Sequence, residues 1–344
     1  MQSRKEFIQD CSKASIGFYL LPGLNKFIEQ DGIIMTVNGP IAPSVMGYTL
    51  SHEHIMVDFI GADKISKDRY KAGEVIETAL PFLKQIKEKG CSTFVDCSPA
   101  YLGRDIQLLQ QLSKETRLNI VTNTGYYGAA KEKYLPKFVY NESATQIATR
   151  WIDEWKNGIE GTGIKPGFIK TGVDKAPLSP VLRKIIEAAA ITHLATGLTI
   201  AVHTGDGNAA REEIEILKTN GVDASALIWV HAQNESNVTM HIEAAQKGSW
   251  LSFDGLNPTN LEKYAGYLQT MLLEKLLDRV LVSQDAGWYH VGEPKGGNYR
   301  NYNCIFDDFI PFLKQNGFKQ NAIQKVFITN PAKAFTIKIR KHKD

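Results

Sequence analysis

The sequence predicts an α/β fold, a (β/α)8 TIM barrel with a metal site at the C-terminal ends of its strands. Three observations predict it. Eight short apolar runs recur, most of them roughly 25–50 residues apart, the size of a βα unit with loop insertions. Several of the intervening segments carry apolar residues at helical period. Six residues with metal-binding or nucleophilic side chains, His52, His54, Lys170, His203, His231 and Asp285, each follow such a run and never precede one.

The expected strands are 48–51, 93–97, 119–123, 167–170, 198–203, 227–231, 250–253 and 279–283. They are apolar or β-branched on both faces, as parallel strands covered by helices should be. Helical periodicity is clearest over 75–89, 179–195, 209–218, 236–247 and 260–277. Strands one, four, five, six and eight supply the six polar residues.

The chain has 344 residues, a length that α/β barrels take as a single domain, and is 43% hydrophobic, enough for a large core. With 40 basic and 37 acidic side chains its net charge is +3, which argues against a nucleic-acid-binding stripe. The basic C-terminal residues Lys338, Arg340, Lys341 and Lys343 read as a solvated tail. Cys91 and Cys97 bracket the second strand at a separation too long for a disulfide within it, and buried thiols are expected.

Residues 1–32 read as a separate N-terminal segment and 33–344 as the barrel. Ser3-Arg4-Lys5-Glu6-Phe7-Ile8-Gln9 resembles a twin-arginine export signal with lysine in the second position, and a short apolar run follows at 14–21. That run is too short to span a bilayer. Periplasmic or exported localisation is the expectation, with a cytoplasmic protein carrying an N-terminal amphipathic helix as the alternative.

His52 and His54 are two apart at a strand end, so both side chains point to one face, expected to be the barrel lumen. Alone, an HxH pair or a single strand-end histidine reads equally as a core or surface group, and Asp285 as a helix N-cap. Their joint placement on four strands points to metal ligation. Lys170 ends an apolar strand, where burial and nearby cations would lower its pKa and leave a nucleophilic amine able to capture carbon dioxide as a carbamate. The alternatives are a lysine reaching solvent, or one binding a substrate phosphate or carboxylate.

This set of residues resembles the phosphotriesterase family of the amidohydrolase superfamily over about residues 33–337, including its lactonase-like members. The flanking words match too: Gly47-Tyr48-Thr49-Leu50-Ser51-His52-Glu53-His54, Ser283-Gln284-Asp285-Ala286-Gly287-Trp288 and Asn330-Pro331. The resemblance implies a binuclear site in which His52, His54 and Asp285 hold the more buried metal and His203 and His231 the more exposed one. Carboxylated Lys170 and a hydroxide would bridge them. The hydroxide would attack a substrate carbonyl or phosphoryl group, and Asp285 would take up the proton. Zinc is the default, with manganese, cobalt or iron also suited to these ligands. Family habit implies a homodimer.

Substrate choice belongs to the loops. Tyr126 and Tyr127 follow strand three and Trp288 follows strand eight; all three are candidate substrate contacts. Arg211 and Lys175 are candidate contacts for an anion, equally readable as solvated charges. The segment from Trp288 to Arg300 suits a mobile lid. After His231, Ala232-Gln233-Asn234-Glu235 replaces the more acidic run expected of an organophosphate hydrolase. The expected activity is hydrolysis of a carboxylic ester, lactone or amide, with promiscuous phosphotriesterase activity. A dedicated organophosphate or phosphorylated-ester hydrolase, and a non-catalytic ligand-binding barrel, are the alternatives.

Overall fold

The computed structural model describes residues 32–343, and the segment read as an export signal lies outside them. Twelve strands are numbered here in chain order. β1 (Ile34–Thr36) and β2 (Gly39–Ile41) form an antiparallel hairpin, whose next residue after β1, Val37, donates its amide to Ile120. The barrel strands are β3 (Tyr48–Val57), β4 (Cys91–Asp96), β5 (Asn119–Val121) with β6 (Asn123–Thr124), β7 (Phe168–Gly172), β8 (Thr199–His203), β9 (Leu227–Val230), β10 (Trp250–Phe253) and β11 (Val280–Val282). All neighbouring pairs in the barrel are parallel.

Two seams close the ring. β5 and β6 are one strand interrupted at Thr122, whose carbonyl accepts from Gly167 at 2.7 Å. On the other side the Asp285 amide donates to the His52 carbonyl, and the His54 amide to that of Ala286. The 288–290 segment, expected within a lid, belongs to a twelfth strand: β12 (Gly287–His290) pairs in parallel with β3 through Gly287↔His54 and Tyr289↔Met56.

Alternation along the strands separates two apolar layers. Val95, Val121, Phe168, Ala201, Ile228, Trp250 and Leu281 fill the lumen, joined from below by Ile34, Met46 and Phe335. Phe94, Ile120, Ile169, Ile200, Trp229, Leu251 and Val280 face the helices. Of the helices anticipated from periodicity, Ala72–Glu88, Pro180–Thr196, Gly207–Thr219, Val238–Gln246 and Leu261–Leu273 are present. Ile106–Thr116 and Ala144–Asn157 are additions, the first capped by Asp105 and the second by a Ser143/Gln146 capping box.

The C-terminal residues are not a wholly solvated tail. The Arg340 amide donates to His193 Nε2 at 2.8 Å and its carbonyl accepts from Asp223, so the segment is docked by its main chain. Cys91, Cys97 and Cys304 are free and buried, as expected of the first two. Among the described residues, no helix is long and apolar enough to cross a membrane.

Candidate metal centre

The inward columns of the barrel lead directly to the site. Two residues beyond Phe168 lies Lys170; two beyond Ala201, His203; two beyond Val95, Cys97; and four beyond Leu281, Asp285. β3 needs a correction to that rule. Leu50 pairs with Phe94 and faces the helices, so strict alternation would turn His52 and His54 outward. The register shifts before Glu53 pairs with Asp96, three residues on β3 against two on β4. This one-residue bulge re-aims both histidines into the lumen. At His231 the backbone is left-handed (φ 62°), which breaks the alternation after inward-facing Val230. Asp285 is also left-handed (φ 50°). Two of the six expected ligands thus occupy a sparsely populated backbone region, a pattern common at functional sites.

All six line one cavity of about 180 Å³. The rings of His203 and His231 lie 4.5 Å apart, those of His52 and His231 5.1 Å, and those of His52 and His54 5.4 Å. His54 Nε2 is 3.2 Å from Asp285 Oδ1, and His52 Nε2 is 3.7 Å from the same oxygen. Lys170 is buried, donates to the Thr171 carbonyl at 3.3 Å, and points its amine at the Tyr127 ring.

Proton placement tests whether this pocket suits a cation. Ser98 Oγ donates to the Met56 carbonyl (2.8 Å), so it can only accept from His54 Nδ1 (2.8 Å). Asp254 accepts from His52 Nδ1 at 2.9 Å and from His231 Nδ1 at 2.6 Å. In all three rings a proton therefore sits on Nδ1, so the neutral imidazole turns its Nε2 lone pair to the cavity. Asp285 Oδ1 is buried without a hydrogen-bond partner, against the lone pairs of His52 and His54. Acceptors facing acceptors at this range require a positive charge between them. The donor set fits a divalent metal with imidazole and carboxylate ligands.

Asp254 also lies close enough to His52 and His231 to pass as a ligand. Its oxygens, however, already accept from both Nδ1 groups, from the His231 amide, from Ser252 Oγ and from Gln233 Nε2. It orients two imidazoles rather than contacting a metal. Sequence reading passed over it. The available signal was its position directly after β10, the same strand-end placement that marked the other six.

Electrostatics follow burial. Burial lowers the pKa of His52 to about 4 and lowers those of His54 and His203, so these imidazoles are neutral near pH 7; it also lowers that of Lys170, which eases loss of the amine's proton. Burial also pushes His231 down, but the Asp254 charge and hydrogen bond outweigh it and leave the imidazole raised. Asp254 and Asp285 are held below the usual carboxylate range: burial raises both, and the adjoining histidines more than reverse it.

Glu53, between the two β3 histidines, faces away from the cavity. It accepts from Ser283 Oγ (2.7 Å), the Gln284 amide (3.0 Å) and the Ala286 amide (2.7 Å), and so holds the turn that carries Asp285. Burial raises its pKa to about 7 against the pull of these donors. Glu53→Gln would set an NH2 group against N–H donors. The expected outcome, read by urea denaturation, is a loss of about 2 kcal/mol of stability.

Tyr127 and Trp288 line the cavity with Phe59, Leu102, Tyr134 and Cys97, whereas Tyr126 does not. Arg211 pairs with Glu243 at 2.6 Å, Lys175 is exposed, and neither reaches the cavity. Asp285 is no helix cap, since β12 follows it.

Comparison with known proteins agrees with this geometry. The model of the phosphotriesterase family matches residues 32–335. An aryldialkylphosphatase of Saccharolobus solfataricus is 30% identical over 302 residues, covering 85% of this chain and 95% of that protein. An N-acetyltaurine hydrolase of Xenopus tropicalis is 25% identical over 350 residues, covering 89% and 99%. The crystal structure of a lactonase from Listeria monocytogenes superposes with a TM-score of 0.77 at 26% identity, covering 89% and 99%. A family match over nearly the whole barrel, on a chain whose six strand-end residues meet in one cavity, makes this protein a member of the phosphotriesterase family of hydrolases.

Proposed function

We propose that this protein is a binuclear metal-dependent hydrolase of carboxylic esters, lactones or amides. The observation that carries the reading is the convergence of unprotonated Nε2 atoms on the partnerless Asp285 Oδ1. His52, His54 and Asp285 would hold one divalent ion, and His203 and His231 the second. Lys170, as a carbamate, would serve both. Zinc suits these donors, as do manganese, cobalt and iron. Such ions supply Lewis acidity toward the substrate oxygen and a water of lowered pKa.

The chain's own groups do the rest. The Lys170 amine, once deprotonated, can add its lone pair to the carbon of carbon dioxide and pass its extra proton to water, which leaves an anionic group with two oxygens. Asp285, ionised and with its side chain 24% exposed, is placed to accept a proton from the attacking water. Trp288 offers only its ring face, because its indole N–H donates to the Asp285 carbonyl at 2.6 Å. Phe59, Tyr127 and Tyr134 complete an aromatic collar.

A cavity of about 180 Å³ with flat walls favours a planar acyl group over a tetrahedral phosphorus bearing three substituents. The likeness to an aryldialkylphosphatase favours the second reading, a phosphotriester hydrolase. Metal analysis of purified protein, then kcat/KM for a δ-lactone, a p-nitrophenyl ester, an N-acyl amino acid and diethyl p-nitrophenyl phosphate, separates them. Two metals per chain and a carbonyl substrate at least about tenfold ahead of the phosphate are expected, a gap of about 1.4 kcal/mol in barrier. The phosphotriester as fastest substrate would select the second reading. No turnover by the metal-loaded protein would remove both.

A further inference from the structure

A second cavity, of about 270 Å³, lies beside the metal pocket and shares no residue with it. The two are back to back across one wall. Asp58, Gly103 and Tyr126 line the second cavity; their chain neighbours Phe59, Leu102 and Tyr127 line the first. Each of three loops at the C-terminal rim thus presents consecutive residues to opposite sides.

We propose that this cavity is a second binding site, for a small neutral ring compound bearing a hydroxyl or carbonyl group, coupled to the metal pocket through the shared wall. The ligand class follows from what the lining leaves unpaired. Its charges are all partnered: Asp58 with Arg69 at 2.6 Å, Glu154 with Arg104 at 2.7 Å, and Lys67 with Glu160 at 2.5 Å. An ionic ligand would be desolvated there without a counter-charge, at a large cost. The Tyr70 hydroxyl is likewise occupied, donating to Asp105 at 2.6 Å.

The hydroxyls of Tyr101 and Tyr126 are free among the described residues. Neither takes part in a hydrogen bond there, neither is sealed from solvent, and both side chains line the cavity. Burial raises the pKa of each phenol, which keeps both neutral and able to donate. Their rings meet edge-to-face with centroids 5.5 Å apart and offer an apolar wall to a flat ligand. Tyr101 (φ 65°) and Glu160 (φ 52°) line this cavity with left-handed backbones, which the surrounding packing must enforce.

Coupling has a direct path. Tyr127, next to Tyr126, packs its ring 5.2 Å from that of His203 and under the Lys170 amine. A ligand that reseats Tyr126 therefore shifts a wall of the metal pocket.

The test is titration of the metal-loaded protein with 4-fluorophenol, followed by the probe's own ¹⁹F signal. A Kd on the order of a millimolar is expected for a probe of this size. Ile65→Trp, which fills the cavity, should weaken binding at least about tenfold, and Tyr101→Phe with Tyr126→Phe about five- to tenfold. Trp288→Ala, on the metal-pocket side, should leave Kd within about twofold, as expected for a separate site. Saturating probe should change kcat/KM of hydrolysis at least about twofold. Absence of binding, or binding lost in Trp288→Ala and kept in Ile65→Trp, would overturn the proposal. Binding with no effect on hydrolysis would overturn the coupling. Probe binding reads this site without reference to the reaction, so its failure is distinct from failure of the proposed activity.

Discussion

Lys170→Ala should bind less than one metal per chain and lose about 10³-fold or more in kcat/KM, the several kcal/mol that metal-ion catalysis supplies. In the metal-free protein the lysine is a poor structural residue. It is buried, its amine has one long hydrogen bond, and burial holds its pKa down. Removing it takes away a desolvation penalty and leaves a void, two effects of opposite sign. Urea unfolding of the metal-free variant should therefore differ from wild type by no more than about 1–2 kcal/mol. Metal-loaded wild type should exceed the variant by far more, since ions that bind only the folded state stabilise it by mass action. Bicarbonate should speed metal loading of the wild type and leave the variant unaffected. A variant that kept two metals and most of its turnover would show that Lys170 does not bridge the site.

Asp254→Asn is expected to act almost as strongly while touching no metal. Its carboxylate accepts five hydrogen bonds, two of them from the Nδ1 atoms that fix the tautomers of His52 and His231. An amide can accept at one oxygen only and turns an NH2 toward the remaining donors. Metal affinity at pH 8 should fall about 10–100-fold. Stability should fall by about 3 kcal/mol, because buried donors lose an ionised partner.

The pH dependence carries opposite signs for the two partners. Asp254 has a folded pKa well below 3.8, so its contribution is fully present above the unfolded value and is lost as pH falls through the folded one. His231, in the metal-free protein, has a folded pKa above 6.5. Its contribution is present below 6.5 and is lost as pH rises through the folded value. A proton at His231 Nε2 excludes metal there. As pH falls, proton competition for metal should therefore be felt first at His231, while His52 stays neutral down to about 4. In Asp254→Asn, burial acts on His231 unopposed and its pKa drops. Metal is then bound more weakly at pH 8, yet acid competition at His231 sets in at lower pH. Chelator-buffered zinc titrations across pH 5–8 measure both shifts. A variant whose release profile kept the wild-type midpoint would show that Asp254 does not set the charge of His231.

The barrel was legible in the sequence from local periodicity, and the six cavity residues from their type and their place at strand ends. Apolar runs of strand length, at the spacing of βα units, leave few alternatives to a parallel closed sheet. A polar residue two positions past a lumen-facing one points inward whatever the loops do. That holds for Lys170 after Phe168 and His203 after Ala201. Where the pattern rests on a backbone irregularity, sequence alone cannot carry it. His52 and His54 face the lumen only because β3 bulges between Leu50 and Glu53, and His231 because its backbone turns left-handed. Both features arise from pairing with neighbouring strands and from turns distant in the chain.

The same distinction separates ligands from their supports. Histidines, a lysine and an aspartate in strand-end positions announce themselves by residue type. Asp254 matters because two imidazoles 179 residues apart in sequence donate to it, and Glu53 because a turn 230 residues away closes on it. Tyr126 and Tyr127 show the limit most plainly. Adjacent and chemically identical, they face different cavities, since only the closing of the loops after β3 and β4 decides which side of the wall each ring takes. Sequence by itself determined the architecture and the chemistry of the metal pocket, because periodicity and residue type act over a few positions. Tertiary structure decided proton placement, the supporting carboxylates and the partition of the rim into two cavities, because these depend on contacts between segments that meet only when the barrel closes.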